Sequence, residues 1–349
     1  MSRCGRALTV CHSGSCDNSR VSKFSAPSAA FAPQNVVFLH AGWRCASTYV
    51  WSRFRALQST TCFYEPFAEN LSALSSRRID RESKRDWRSR HPALGAPYRT
   101  EYRPLLRPVL RGVPGYHQSF ALAGYFPRGE ACREAAYLRR LIEHAHRRET
   151  VPVLGFSRSL ARAAQMKSAL GGYHIVLRRA ARQQWLSCRS YRGAEPLSYF
   201  EVCHFLILAL APADSPAGRF AESLGVPRPP WRAWDVRRQI DALRSRMGAC
   251  GDALSYRVFL AVQLLSQAAA AQAADLSLDV DRLSASAAYR AGVHARILAA
   301  TGLAVDFGDC HLPRHETTDA EVDFAAAEAD VRQRLLDCGV DSVAARAEA

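Results

Sequence analysis

Four apolar residues, Val36-Val37-Phe38-Leu39, lead into a short loop, His40 to Cys45, and the chain leaves that loop on a helical pattern. An uninterrupted apolar run of this length is what a strand covered on both faces requires. Beyond the loop, Val50, Trp51, Phe54 and Leu57 recur at helical spacing, and Ser47 stands where an N-cap belongs. Thr60 to Tyr64 then forms a second strand pattern. Strand, loop, helix and strand in this order predict parallel pairing through a right-handed crossover. The fold class expected is therefore α/β: three layers, with a central parallel sheet flanked by helices.

Downstream patterns agree. VPVLG at 151–155 and His174 to Leu177 are further strand candidates, and 157–170 and 181–192 read as helices. A helix is expected at 131–147, and helices dominate 198–212, 233–246 and 253–274. The segment DLSLDVDRL, a helix at 285–300 and GLAVDFGD close the domain. Residues 1–34 lack periodicity and read as a flexible tail. Residues 35–317 form the main domain, with 68–130 as an insertion on the acceptor side, and 318–349 form a helix with a loose end. No internal repeat is present.

The chain has 349 residues, 48% of them hydrophobic, which suffices for a sizeable core. Net charge is +15, from 47 Lys plus Arg against 32 Asp plus Glu, and Lys occurs only at 23, 84 and 167. Arginine suits planar, two-pronged contact with phosphate, sulfate and carboxylate. The same charge fits nucleic acid, but no helix-turn-helix, zinc-finger or aromatic ribonucleoprotein signature accompanies it. The 11 cysteines are scattered, with no zinc spacing, so no metal site is expected. The N-terminal apolar run ALTV is too short for a signal core, and FLILALAPA at 205–213 is stopped by Pro212 and Asp214, so no membrane span is expected. A cytoplasmic protein with reduced thiols is the expectation.

Two constellations carry chemistry. The first is Gly42-Trp43-Arg44-Cys45-Ala46-Ser47-Thr48-Tyr49. A tight loop between a buried strand and a helix aims free backbone N–H groups and the positive end of the helix dipole at one point. Arg44 adds a full charge, and Ser47 and Thr48 add hydroxyls. The loop is not a Walker A motif, which ends G-K-[ST]: no Lys is present, and the cation precedes Ser47 by three residues. It resembles instead the 5′-phosphosulfate loop of sulfotransferases that use 3′-phosphoadenosine 5′-phosphosulfate (PAPS), with Ala46 where that family often has Gly. The second constellation lies after the strand ending at Leu177: Arg178, Arg179, and Ser187 on the following helix. The family places an Arg there and a Ser eight residues on, both on the nucleotide's 3′-phosphate. Arg179 and Ser187 match that spacing, Arg178 rivals Arg179, and the family's usual Pro is Ala181 here.

The resemblance implies a P-loop NTPase-like sulfotransferase architecture, with PAPS as sulfuryl donor and a hydroxyl-bearing acceptor, carbohydrate before tyrosine or small metabolite. It implies that Arg44 and the loop stabilise the departing 5′-phosphate, with no metal required. Glu65, which ends the second strand ahead of Pro66, resembles the proposed catalytic Glu of protein-tyrosine sulfotransferases. His40, His91 and His117 are rivals for the base, because many sulfotransferases use His. Arg158 and Arg162, four apart, read equally well as an anion-contacting pair or as a solvated basic face. Cys188, Cys203 and His204 read as core. Competing functions are a P-loop-like kinase or nucleotide hydrolase and a basic nucleic-acid-binding protein.

Overall fold

The computed structural model of the chain describes residues 35–81, 94–107, 111–228, 235–247, 250–316 and 321–340. The expected tail at 1–34, His91, and parts of 318–349 lie outside the described residues. Five strands form one sheet: β1 (Val37–His40), β2 (Thr60–Tyr64), β3 (Val151–Phe156), β4 (Tyr173–Arg178) and β5 (Leu276–Asp279). Their order is β2-β3-β1-β4-β5, and every neighbouring pair is parallel. Central β1 pairs with both sides: Val37 stands opposite Val153 of β3 and Tyr173 of β4.

Helices in chain order are α1 (Ser47–Arg55), α2 (Ser76–Arg81), α3 (Ala135–His146), α4 (Ala163–Leu170), α5 (Ala181–Arg189) and α6 (Tyr199–Leu210). They continue with α7 (Pro216–Ser223), α8 (Val236–Met247), α9 (Asp252–Ala271), α10 (Val280–Ala285), α11 (Ala287–Thr301) and α12 (Phe324–Asp337). Successive strand residues point to opposite faces, so each strand feeds two layers. Val37, Leu39 and Cys62 pack with Trp51 and Phe54 of α1 and Ile297 of α11. Phe38, Phe63 and Phe156 pack on the other face with Leu138 and Ile142 of α3 and Met166 of α4. A further apolar body is helix on helix, built from residues such as Trp185, Phe205, Phe220, Tyr256 and Val331. Gly155 lets α1 lie close on the sheet, since a Cβ there would stand 2.6 Å from the Trp51 ring.

The α/β expectation and its parallel sheet are observed. The helix expected over 157–170 begins later: Ser157–Ser159 form a loop, Leu160–Arg162 a 3-10 turn, and α4 follows. The long connection from β2 to α3 holds no strand among its described residues; it buries Leu71, Ile79, Tyr102 and Phe120 in the same layer as α3. Among the described residues no helix is long and apolar enough to cross a membrane.

Strand order fixes where a ligand can enter. From β1 the chain crosses toward β2, whereas from β4 it runs to the opposite edge and β5. Neighbouring strands whose connections diverge leave a crevice beyond their carboxyl ends. The loop after β1 and the Arg178-Arg179 pair after β4 follow the carboxyl ends of these two neighbouring strands.

Candidate functional site

The loop after β1 is held at both ends and open between them. Ala41 N donates to Phe156 O (3.1 Å), and Val50 N donates to Ala46 O (3.1 Å). No backbone N–H from Gly42 to Tyr49 makes a hydrogen bond of ordinary geometry within the described residues. Backbone donors in folded proteins are nearly always paired, so a consecutive row of free ones is unusual. Arg44 (φ 63°) and Ala46 (φ 53°) are both left-handed. Left-handed residues alternating with ordinary ones turn successive N–H groups inward, which makes an anion-binding concavity. The helix dipole of α1 adds to it.

The expectation that Ser47 caps α1 is not met. Ala46 is the N-cap, it has no side-chain acceptor, and Ser47 is already the first helical residue. A left-handed Ala carries a Cβ penalty of about 1–2 kcal/mol that Gly avoids, and Gly gives back part of this through unfolded-state entropy. Ala46→Gly is therefore expected to raise stability by about 0.5–1 kcal/mol in a denaturant titration. A lowered midpoint would contradict the strained geometry.

The loop side chains divide into walls and facing groups. Trp43 and Cys45 are buried, and burial pushes the Cys45 thiol up to about 12, so it is neutral. Thr48 Oγ1 lies 3.0 Å from Tyr64 OH, and Tyr49 OH donates to Asp309 Oδ1 (2.7 Å), so both hydroxyls are committed to the protein. The half-buried Ser47 hydroxyl has no partner among the described residues. Gly42 is close-packed: a Cβ there would stand 2.8 Å from Gln184 Nε2, the group that donates to Trp43 O (2.8 Å).

The two constellations meet, with the partners crossed. Arg44 Nε donates to Ser187 Oγ (3.1 Å) and Nη2 to Tyr191 OH (3.2 Å), and the guanidinium carbon lies 4.5 Å from the Tyr191 ring centre. Arg179 Nη1 donates to the Arg44 carbonyl (2.8 Å) and Nη2 to Pro313 O (3.2 Å), with Asp281 Oδ1 at 3.8 Å from Nε. Ser187 thus serves Arg44, while buried Arg179 braces the loop. Arg178 is exposed. Arg44, Arg179 and Ser187 form one hydrogen-bonded group at the β1/β4 crevice.

Glu65, at the end of β2, is buried and left-handed (φ 50°). Its Oε2 accepts from Ser157 N (3.1 Å), Ser157 Oγ (2.9 Å) and Arg158 Nη1 (3.0 Å). Its Oε1 takes no hydrogen bond among the described residues. Burial raises the Glu65 carboxyl above its usual range, although Arg158 and Ser157 pull it back. Arg158 Nη2 donates to Glu69 Oε2 (2.9 Å) and Tyr199 OH (2.8 Å), and its guanidinium lies 5.1 Å from the Trp43 ring centre. Burial lifts Glu69 too, but Arg158 and the Tyr199 hydroxyl outweigh it and hold that carboxyl low. Arg158 therefore ties the Glu65 strand end to the loop after β1. Among the described residues, three of the four non-glycine residues with positive φ (Arg44, Ala46, Glu65) stand at this edge of the sheet. Such strain concentrates at functional sites.

A solvated basic face at 158–162 is ruled out. Arg158 is buried on Glu65 and Glu69, and Arg162 on Glu134 (2.6 Å). The rival base His40 is fully buried with both ring nitrogens engaged, by Ser159 Oγ (2.7 Å) and His174 Nδ1 (2.9 Å). His174 Nε2 must donate to Gly171 O (2.9 Å), because a carbonyl only accepts. Its Nδ1 therefore accepts from His40 Nε2–H, and His40 Nδ1 accepts from Ser159. His117 is exposed and pairs with Ser119 Oγ (2.8 Å). Cys188, Cys203 and His204 are buried.

Gln184, Tyr191, Ser157 and Tyr199 are site residues that sequence reasoning missed. Gln184, Ser187 and Tyr191 share one face at helical spacing, and that signal was available once Ser187 was singled out.

Fold and geometry define a class: an α/β protein whose five-stranded parallel sheet carries, at its carboxyl edge, a loop with free N–H groups beside Arg44, Ser187 and Arg179. No family model, no curated protein and no solved structure matches the chain.

Proposed function

We propose that the chain is a PAPS-dependent sulfotransferase of P-loop-like architecture, acting on an acceptor hydroxyl, with carbohydrate the first acceptor class to test. The observation that carries this reading is the unpaired N–H row of Gly42–Tyr49 lying beside Arg44, Ser187 and Arg179. Unpaired donors and cations at neighbouring strand ends suit two phosphates borne on one ribose.

PAPS supplies an activated sulfuryl group. The loop N–H groups, Ser47 Oγ and Arg44 hold the 5′-phosphate side and offset the charge that grows there as sulfur departs. Arg179 keeps the loop in register by holding the Arg44 carbonyl, and Ser187 orients the Arg44 guanidinium through Nε. Glu65 receives the acceptor proton at Oε1, its other oxygen being fixed by Ser157 and Arg158. A carboxyl raised by burial is a stronger base than an exposed one. Alignment of acceptor oxygen and sulfur is a matter of positioning.

Sulfate transfer from labelled PAPS to a panel of hydroxylated acceptors tests the reading. Arg44→Ala is expected to cut the rate by about 10²–10³, the effect of removing one charge-stabilising donor. No transfer by the parent chain, or an undiminished rate in Arg44→Ala, would contradict it.

A further inference from the structure

A cavity of about 260 Å³ lies at the far end of α6 from the crevice. Tyr199, the first residue of α6, touches Arg158, whereas Leu210, the last, lines the cavity; the helix separates them by about 16 Å. Phe120, Phe126, Pro127 and Pro212 supply apolar wall. Arg128 and Arg133 stand exposed on its rim, and the Arg162–Glu134 pair is buried in its wall.

Arg162 is 2% exposed. It donates to Glu134 Oε1 (2.6 Å) and Phe120 O (2.8 Å), while its Nε–H has no acceptor among the described residues. Gln165, also in the lining, gives its Nε2–H to Gly129 O (3.1 Å), and its Oε1 has no donor among the described residues. Three arginines and one carboxylate thus line a small space of mixed polar and apolar wall that also holds unsatisfied polar atoms. Buried ion pairs are costly, and a cationic, apolar-walled concavity suits an organic anion. Glu134 repels a second negative charge, which favours a monoanion over a phosphate dianion.

We propose that this cavity is a binding site for a small monocarboxylate with an aromatic or short aliphatic body, the carboxylate at Arg128 and Arg133 and the body against Phe120 and Phe126. The site is separate from the crevice and does not depend on the sulfotransferase reading.

Half-buried Cys132 lines the cavity and gives a local readout, and half-buried Cys250 is an internal control. Alkylation of both by iodoacetamide in the full chain is followed by peptide mass, at constant ionic strength, with benzoate, benzamide or inorganic phosphate present. Benzoate is expected to slow modification of Cys132 about tenfold at saturation and to leave Cys250 unchanged. Benzamide and phosphate are expected to leave both rates unchanged. In Arg128→Ala/Arg133→Ala, at an unaltered melting temperature, the half-protecting benzoate concentration should rise about tenfold, equivalent to about 1.4 kcal/mol. Failure of benzoate to protect, or equal protection by benzamide in the parent chain, would overturn the proposal. Protection undiminished in the double variant would overturn it too.

Discussion

Glu65→Gln is expected to lower sulfuryl transfer by about 10²–10⁴, the range for loss of a positioned general base, while binding of adenosine 3′,5′-bisphosphate stays within a factor of about two. The split follows from geometry. Glu65 reaches the loop through Arg158 and Trp43 and accepts no hydrogen bond from the N–H row, so it shapes acceptor chemistry rather than the row itself. Glutamine keeps an oxygen for Ser157 and Arg158 but removes the basic group. The parent pH–rate profile should rise as Glu65 deprotonates, and burial places that rise above the ordinary glutamate range. Steady-state rates against pH, paired with calorimetry of the bisphosphate, check both halves. Equal losses in rate and nucleotide affinity would make Glu65 a structural residue.

Acid should unfold the chain well before its carboxylates are neutralised. Burial opposes protonation of several imidazoles: His40 lies well below its usual value, with His174 lowering it further, and His174 and His204 are each down to about 4. In the unfolded chain each takes a proton near pH 6.5. Above that pH neither state binds these protons. Below it the unfolded chain gains protons that the folded chain refuses, so stability falls with pH until His174 and His204 titrate near 4. At pH 5 the loss is about 2 kcal/mol for each of His174 and His204, or about 4 kcal/mol for the two, with His40 acting in the same direction, a large part of an ordinary domain's stability. Glu65 and Glu101, both raised by burial, work in the opposite sense: they favour the folded state as pH falls and lose that contribution as pH rises through their folded values. Glu69 and Glu328 are held low and cost stability only once pH drops below about 4.5. Denaturant titrations at pH 7 and pH 5 should show the loss, and His204→Leu should flatten the slope. A flat profile in the parent would mean that the imidazoles are solvated or already protonated.

Much of the fold was readable because its strands are short apolar runs bounded by turns. Val36 to Leu39, Thr60 to Tyr64 and His174 to Leu177 each fall within about one residue of an observed strand. A shared sheet edge for Arg44 and Ser187 was also foreseeable, since both follow strands whose carboxyl ends lie together. How the partners are distributed was not. Sequence spacing placed Ser187 with Arg179, but the left-handed turn at Arg44 swings its guanidinium onto α5 and leaves Arg179 to hold the loop carbonyl. The burial of Arg158 and Arg162 was hidden for a different reason. Their partners Glu65, Glu69 and Glu134 lie in segments remote in sequence, and a pair four apart on a helix-like stretch reads as a surface feature until those segments are docked. Gly42 shows a similar limit: the residue type marks a tight approach, but only the packed structure identifies Gln184 as the neighbour.

Titration of adenosine 3′,5′-bisphosphate into the parent chain, Arg44→Ala and Arg179→Ala by calorimetry tests the shared-crevice geometry most directly. One saturable site in the parent, weakened about tenfold or more in each variant, is the predicted result. No saturable binding by the parent, or affinity untouched by both substitutions, would contradict it.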